Sequence, residues 1–210
     1  MKWAVRTVAV VCTGLLAAGL VATPAGARVA QRELSPRVTV AGKALPQVTP
    51  DTIATSADAA VGKKAPTVTG VGFDGKPVTF SNDGKARILI FLSHSCPHCQ
   101  AEVPRIVKLA KTGKLAGVEI DTIATNTSKD LPNYPPSKWL KREHWPFKPV
   151  LADDSRLRAF FGFGGASFPY FVFVSADGTV AARVAGELAT SVIAEAARRL
   201  AAGVSLYGKK

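Results

Sequence analysis

The 210-residue sequence predicts an α/β fold in which helices flank a central mixed sheet. Three observations lead to this prediction. Continuous apolar runs such as "ARILIFLS" (86–93) are typical of strands buried on both faces. Helical patterns follow these runs, and such alternation favours parallel central strands. Two Asp-Gly turns, at 74–75 and 177–178, mark hairpins near the two ends of the pattern.

The elements follow in order along the chain. An N-terminal hairpin joins strands 67–72 and 77–80, and the central strand at 86–93 leads into a helix from about Pro97 to Lys111. A second buried strand (117–125), a short helix (136–144), an extended piece (148–154) and a helix at 155–163 with Ser155 as its N-cap come next. A hairpin at 170–186 adds antiparallel strands at the sheet edge. A closing helix, 188–203, aligns its apolar residues Val192, Ile193, Ala196 and Leu200 on one stripe.

The amino terminus resembles a targeting segment. Residues 1–27 combine an early positive charge, an apolar stretch and the small-residue sequence Ala25-Gly26-Ala27, which predicts a signal peptide cleaved after Ala27. An uncleaved membrane anchor is the alternative, because the uncharged stretch is just long enough to span a bilayer. We expect a flexible spacer at 28–60, with an extra strand at "RVTV" (37–40) as the alternative, then the folded domain at 61–204 and a basic tail at 205–210.

The formal net charge is +12, which raises the question of a nucleic-acid partner. The sequence has no basic helix, no Lys/Arg run and no aromatic residues interleaved with basic ones, so no nucleic-acid binding is expected. A basic, exported, monomeric protein is the simpler interpretation. Cys12 lies in the apolar leader, so the folded part keeps only two cysteines. An extracytoplasmic location would allow those two to form a disulfide.

The segment "LSHSCPHCQAEVPRIV" (92–107) contains both remaining cysteines. Cys96 directly follows the central strand, and Pro97 suits the first position of a helix. The unpaired N–H groups of a helix N-terminus stabilise a thiolate, so Cys96 is the predicted attacking thiol. Cys99 lies one turn deeper and is the predicted resolving thiol, in a redox-active Cys96–Cys99 pair.

His98 lies between the two cysteines. When protonated, it would place positive charge beside Cys96 and make the pair more oxidising. A zinc or copper site formed by the two cysteines with His94 and His98, as in a metal-binding chaperone, is a weaker alternative. Zinc sites normally draw a second ligand pair from a distant segment. We therefore predict no metal, and we expect His94 to line the site at the end of its strand.

The motif "CPHCQAEVP" resembles the thioredoxin superfamily, in particular its TlpA/ResA-like extracytoplasmic branch. That branch places Glu three residues after the second Cys and Pro two residues later, which corresponds here to Glu102 and Pro104. The resemblance runs from about Ala65 to Gly203 and includes "FKPVLADD" and "SFPYFVFVSADG". It implies a thioredoxin-like fold and a thiol–disulfide oxidoreductase without a cofactor. Such an enzyme would reduce disulfides in protein partners and would exchange electrons with a membrane-borne donor or acceptor.

The resemblance also assigns site residues. It makes Pro169 a cis-proline facing the cysteines, although an ordinary trans proline at a strand edge is the alternative, and it makes Phe168 the substrate-facing neighbour. Glu102 would be the base that takes the Cys99 proton, unless it is a surface residue of the helix. Ser95 stands where the family usually has Trp, and Phe168 where it usually has a small or β-branched residue. Since "Pro-His" between the cysteines resembles DsbA-type oxidases, disulfide donation is the alternative direction.

Overall fold

The computed structural model describes residues 33–49 and 55–207. This part of the chain forms eight strands and four helices. The strands are β1 (Thr39–Ala41), β2 (Thr67–Gly72), β3 (Pro77–Phe80), β4 (Arg87–Leu92), β5 (Glu119–Ala124), β6 (Val150–Ala152), β7 (Tyr170–Val174) and β8 (Val180–Ala185). The helices are α1 (Pro97–Ala110), α2 (Pro136–Arg142), α3 (Arg158–Gly162) and α4 (Thr190–Ala201).

All eight strands belong to one mixed sheet. Its order is β1-β2-β6-β5-β4-β7-β8, and β3 pairs with β2. The adjacent strands β4, β5 and β6 are parallel, whereas β7 runs antiparallel to β4. The mixed sheet confirms the predicted fold class. The closing hairpin adds its two antiparallel strands at one edge of the sheet, as predicted, with β7 next to β4 and β8 outermost.

The core lies on both faces of the sheet. Every residue of β4 is buried, as the continuous apolar run predicts. Alternate side chains of a strand point to opposite faces, so Ile88 and Ile90 pack with α1 and α4 while Leu89 and Phe91 pack with α3 and the segment around β1. On α4, Ile193, Ala196 and Leu200 are buried as predicted, but Val192 is 50% exposed and Ala197 takes its place on the buried stripe.

The predicted spacer at 28–60 is corrected by the structure for the residues that it describes. β1 pairs with β2 in the register Val40 to Val68, so the alternative of an extra strand holds. Val38, Leu45 and Val48 are buried in the core beneath α3. The backbone N–H groups of Leu45 and Val48 donate to Gly162 and Gly164. The apolar residues of this segment have no regular spacing, because contacts with distant parts of the chain hold the segment in place.

Two long-range polar contacts attach this segment to the domain. Glu33 is buried and its carboxylate accepts hydrogen bonds from the backbone N–H (3.1 Å) and the hydroxyl of Ser137 at the start of α2. It thereby satisfies an N–H that helix termini otherwise leave unpaired. Farther on, buried Arg183 of β8 donates to both carboxylate oxygens of Asp58, at 2.8 and 2.5 Å, and to the carbonyl of Pro46 at 2.7 Å.

Two predicted boundaries, the start of α3 and the start of the carboxyl-terminal tail, differ from those in the structure. Ser155 was wrongly expected to cap α3; the buried carboxylate of Asp153 instead accepts from the N–H groups of Ala159 and Phe160. At the carboxyl terminus, the predicted tail begins too early. Residues 205–207 are described, and Leu206 and Tyr207 are partly buried against the core.

No helix within the described ranges is long and apolar enough to cross a membrane. The predicted signal peptide or anchor at residues 1–27 lies outside those ranges.

Candidate active site

The site is built at the carboxyl ends of the parallel strands. β4, β5 and β6 end at Leu92, Ala124 and Ala152, so their carboxyl ends lie together on one side of the sheet. Ligands of open α/β sheets bind at this edge. The turn after β4 is fixed by a hydrogen bond from Cys96 N to Ser93 O at 3.2 Å.

Cys96 is the N-cap of α1, with extended backbone (φ −76°, ψ 121°), and Pro97 opens the helix as predicted. It is half-buried and its thiol is free. Its Sγ lies 3.5 Å from the carbonyl oxygen of Phe168, to which the thiol donates. A thiol at this position is both reachable from solvent and adjacent to unpaired helix N–H groups.

Cys99 differs sharply from Cys96 in its surroundings. It is a free thiol that is fully buried, and its Sγ accepts a hydrogen bond from the Ser93 N–H at 3.4 Å. Burial raises the pKa of the Cys99 thiol strongly, and the nearby charges of Cys96 and Glu102 add to the increase, while the Ser93 N–H opposes it. The two sulfurs therefore offer one accessible nucleophile and one protected thiol.

Glu102 is buried, with 0% of its surface exposed, so the alternative of a surface glutamate does not hold. Its Oε2 accepts from the Arg105 guanidinium. Burial raises the pKa of Glu102, while the charge and hydrogen bond of Arg105 and a backbone hydrogen bond from Leu188 oppose that increase. A carboxyl group with a raised pKa next to a buried thiol is suited to exchanging a proton with that thiol.

His98 is exposed on the first turn of α1, with 70% of its side chain accessible. Its Nδ1 lies 2.6 Å from Oε1 of Glu187, in the turn between β8 and α4. The other carboxylate oxygen of Glu187 accepts from Arg105. The histidine between the cysteines is therefore part of a surface network that joins α1 to the turn between β8 and α4.

The segment opposite the cysteines contains the predicted cis bond, Phe168-Pro169. Cis bonds also precede Pro135 and Pro149. The Phe168 ring is half-buried and lies on Phe160, with centroids 4.4 Å apart. Its backbone carbonyl contacts Cys96.

Ser95 is half-buried directly before Cys96, and its hydroxyl lies 3.3 Å from the Ser93 hydroxyl. Ser95 therefore lies beside the cysteine pair, at the position where the resemblance led us to expect Trp.

His94 is buried and both of its ring nitrogens are in use. Nδ1 donates to the carbonyl of Pro132 at 2.6 Å, and Nε2 accepts from the Ser128 N–H at 3.2 Å. Burial lowers the pKa of His94, which the Pro132 carbonyl opposes. The side chain holds the loop after β5 against the site, so it has no free nitrogen for a metal. Among the described residues, no group of three or more His, Cys, Asp or Glu side chains has the arrangement of a metal site.

Sequence reasoning missed two residues of the network. Arg105 could have been found, because it stands three residues after Glu102, and residues at that spacing are neighbours on a helix. Glu187 carried no such signal, since 89 positions separate it from His98 and only the sheet topology brings them together. Asn133 and Gln100, which both donate to the His94 carbonyl, were likewise not anticipated.

A sheet with a Cys-x-x-Cys pair at a helix N-terminus and a cis-proline opposite defines the class of thioredoxin-fold thiol–disulfide oxidoreductases. The sequence profile described as "Redoxin" matches residues 60–198, and the chain belongs to this family. It is an oxidoreductase of the thioredoxin type, as predicted. No curated protein sequence matches the chain.

Solved structures agree with this assignment. A thiol:disulfide interchange protein of the thioredoxin family from Chlorobium tepidum TLS is 31% identical; the match covers 66% of this chain and 95% of that one, with a TM-score of 0.54. StoA from Bacillus subtilis (17% identity, 63% and 96% covered, TM-score 0.52) shares the fold. So does a secreted Mycobacterium tuberculosis disulfide oxidoreductase homologous to E. coli DsbE (23% identity, 63% and 95% covered, TM-score 0.52).

Proposed function

We propose that the Cys96–Cys99 pair reduces disulfide bonds in protein partners outside the cytoplasm. The observation that carries the proposal is the asymmetry of the two thiols: Cys96 is accessible at a helix N-terminus, whereas Cys99 is fully buried with a raised pKa. This asymmetry separates an attacking thiol from a resolving one. Disulfide donation is the second candidate, and the specific feature that favours it is the histidine between the cysteines.

The first step forms a mixed disulfide. The Cys96 thiolate attacks one sulfur of the partner's disulfide, the partner's S–S bond breaks, and its other sulfur leaves as a thiolate that takes up a proton. The carbonyl of Phe168 lies beside Cys96. We expect it to accept a backbone N–H from the partner, so that an extended segment pairs beside the cysteine. Ser95 leaves room for that segment where a Trp would narrow it.

The second step releases the partner. Glu102 takes the proton of Cys99, and the resulting thiolate attacks the Cys96 sulfur, forming the Cys96–Cys99 disulfide and freeing the partner's second thiol. Two electrons have then moved from the pair to the partner. An external dithiol, which we expect to be membrane-borne, must reduce the pair again before the next cycle.

An extracytoplasmic location fits this chemistry. The predicted signal segment precedes the domain, and Cys12 within it is the only cysteine outside the pair. The Mycobacterium tuberculosis protein that shares the fold is described as secreted. Without other cysteines in the folded part, the pair is not in competition with structural disulfides in an oxidising compartment.

Substitution of each cysteine tests the proposal. Cys96→Ser should lower the rate of insulin disulfide reduction at least a hundredfold, because the nucleophile is lost. Cys99→Ser should leave the attack intact and accumulate a mixed disulfide, visible as a reducible band on a non-reducing gel. Cys12→Ser is the matched control and should reduce insulin at the wild-type rate. A wild-type protein without insulin reduction, or a Cys96→Ser variant that retains it, would contradict the proposed function.

A further inference from the structure

Four charged or titratable side chains form a continuous chain along one side of the cysteine pair. His98 Nδ1 lies 2.6 Å from Glu187, Glu187 accepts from Arg105, and Arg105 donates to buried Glu102. Three of the four lie on α1, at the first, second and third turns of the helix. Only Glu187 comes from another element, the turn between β8 and α4.

The Glu187 carboxylate is well placed to counter positive charge. Its side chain is 32% exposed, and each of its two oxygens faces a different cationic or protonatable group. The hydrogen bond from His98 lowers the pKa of Glu187 most, and that from Arg105 lowers it further, so Glu187 is charged at neutral pH. Because an imidazolium and a carboxylate in contact have almost no net charge, the field that His98 exerts on Cys96 falls when Glu187 binds it.

This geometry matters for the direction of electron flow. Positive charge next to the thiolate stabilises the reduced pair and makes the couple more oxidising, which is the effect expected of a histidine between two cysteines. One carboxylate oxygen of Glu187 contacts Nδ1 of that histidine, and the other accepts a hydrogen bond from Arg105. It therefore acts against the oxidising influence of His98.

We propose that Glu187 is a positioning residue that holds His98 and offsets its positive charge, so that the Cys96–Cys99 couple is more reducing than its Pro-His sequence alone would make it. The proposal rests on the redox function of the pair proposed above. It accounts for a reductase whose two central residues resemble those of an oxidase.

The test is the equilibrium of the full-length protein with reduced and oxidised glutathione. Glu187→Gln keeps the size of the side chain and a hydrogen-bond acceptor but removes the charge. We expect its equilibrium constant to shift about tenfold toward the dithiol form, which for this two-electron couple is about 30 mV more oxidising. Glu187→Asp keeps the charge and should restore at least part of the wild-type value.

A double-mutant cycle separates positioning from a general charge effect. In a His98→Gln background, Glu187→Gln should shift the equilibrium much less than in the wild type, because its partner is gone. Glu195→Gln is the matched control, since Glu195 is an exposed acid on α4 that is paired with Arg198 at 2.7 Å. It should leave the equilibrium unchanged.

The outcomes are distinct. An unchanged equilibrium in Glu187→Gln, a shift toward the disulfide form, or a shift of equal size in the His98→Gln background would each overturn the inference. If the wild-type pair forms no disulfide with glutathione at all, the proposed function itself fails. Thermal unfolding of each reduced variant shows whether a shift has arisen from loss of the fold.

Discussion

Glu102 combines three properties at a single position beneath the cysteines. It is fully buried, its Oε2 is bound by Arg105, and burial raises its pKa despite Arg105 and a backbone hydrogen bond from Leu188. Removing a carboxylate from water costs free energy that its partners only partly offset. This cost is consistent with a residue kept for proton transfer rather than for stability.

The raised pKa has a defined consequence for stability. A carboxyl group with a higher pKa in the folded than in the unfolded state binds its proton more tightly when folded, so stability falls as pH rises above the unfolded value of about 4.5. Glu102→Gln removes this titration. We expect the variant to be more stable than wild type by about 1 kcal/mol at pH 8, with the gap closing toward pH 4.

Urea unfolding of the reduced proteins at pH 4, 6 and 8 measures this difference. Glu195→Gln serves as the control, because its exposed ion pair contributes little and should give curves close to wild type at every pH. Parallel stability curves for Glu102→Gln and wild type would show that the Glu102 pKa is not raised in the folded protein.

At the scale of single residues, the sequence predicted which side chains surround the cysteines but not the hydrogen bonds and ion pairs between those side chains. Local spacing was enough for Cys96, Cys99 and Glu102, since a helix fixes which positions share a turn. The burial of Glu102 and the contact of His98 with Glu187 depend on how β8 and α4 pack against α1. Such tertiary contacts leave no periodic trace in the sequence.

Among the elements, β8 has the additional task of holding the amino-terminal segment. Its Arg183 is fully buried and pairs with Asp58, which is also buried, and donates to the carbonyls of Pro46 and Phe163. Gly164 lies beside this cluster with a positive φ of 73°, and a Cβ there would collide with the Pro46 carbonyl. The segment around β1 and the α3–β7 turn are therefore fitted to each other.

Breaking this pair should be costly. Asp58→Asn leaves the Arg183 guanidinium buried without a counter-charge, and we expect a loss of about 3–5 kcal/mol in the free energy of unfolding at pH 7. Burial alone would raise the pKa of Asp58, but hydrogen bonds from Arg183 and the Ala60 N–H lower it overall. Its contribution is thus present above pH 4 and is lost as pH falls through the lowered folded pKa.

The exposed pair of Glu195 and Arg198 again provides the comparison, since Arg198→Gln should cost no more than about 1 kcal/mol. Equilibrium unfolding by urea measures both variants. A loss below 1 kcal/mol for Asp58→Asn would mean that the segment around β1 contributes little to the fold.

Elements with strong local signals were predicted correctly, and those held by distant partners were not. The hairpin of β2 and β3 has a turn of its own, and β4 has its unbroken apolar run. β1 has only three residues and pairs with the start of β2, so its place depends on Arg183 and Ser137 far along the chain.

For the molecule as a whole, the net charge of +12 bears on which partners it meets. Opposite charge speeds diffusional encounter, and salt screens that attraction, because the Debye length falls from about 10 Å at 0.1 M to about 3 Å at 1 M. A strongly basic oxidoreductase is therefore expected to prefer acidic partners at low ionic strength.

Two synthetic disulfide peptides that differ only in Asp or Lys residues flanking the cysteine test this preference. The second-order rate for the acidic peptide should fall roughly fivefold between 0.02 and 0.5 M salt, whereas that for the basic peptide should rise. Stopped-flow measurement of the mixed-disulfide step gives both rates. An identical salt response of the two peptides would exclude a role of the net charge in partner encounter.

The buried contact of Glu33 with Ser137 also sets the length of the tether between the domain and its leader. In the sequence, only residues 28–32 lie between Glu33 and the predicted leader at 1–27. Five extended residues reach about 17 Å, against roughly 110 Å for the whole of 28–60. If the predicted leader stays in the membrane as an anchor, the short linker keeps the oxidoreductase close to the bilayer, where it can reach only disulfides presented near that surface.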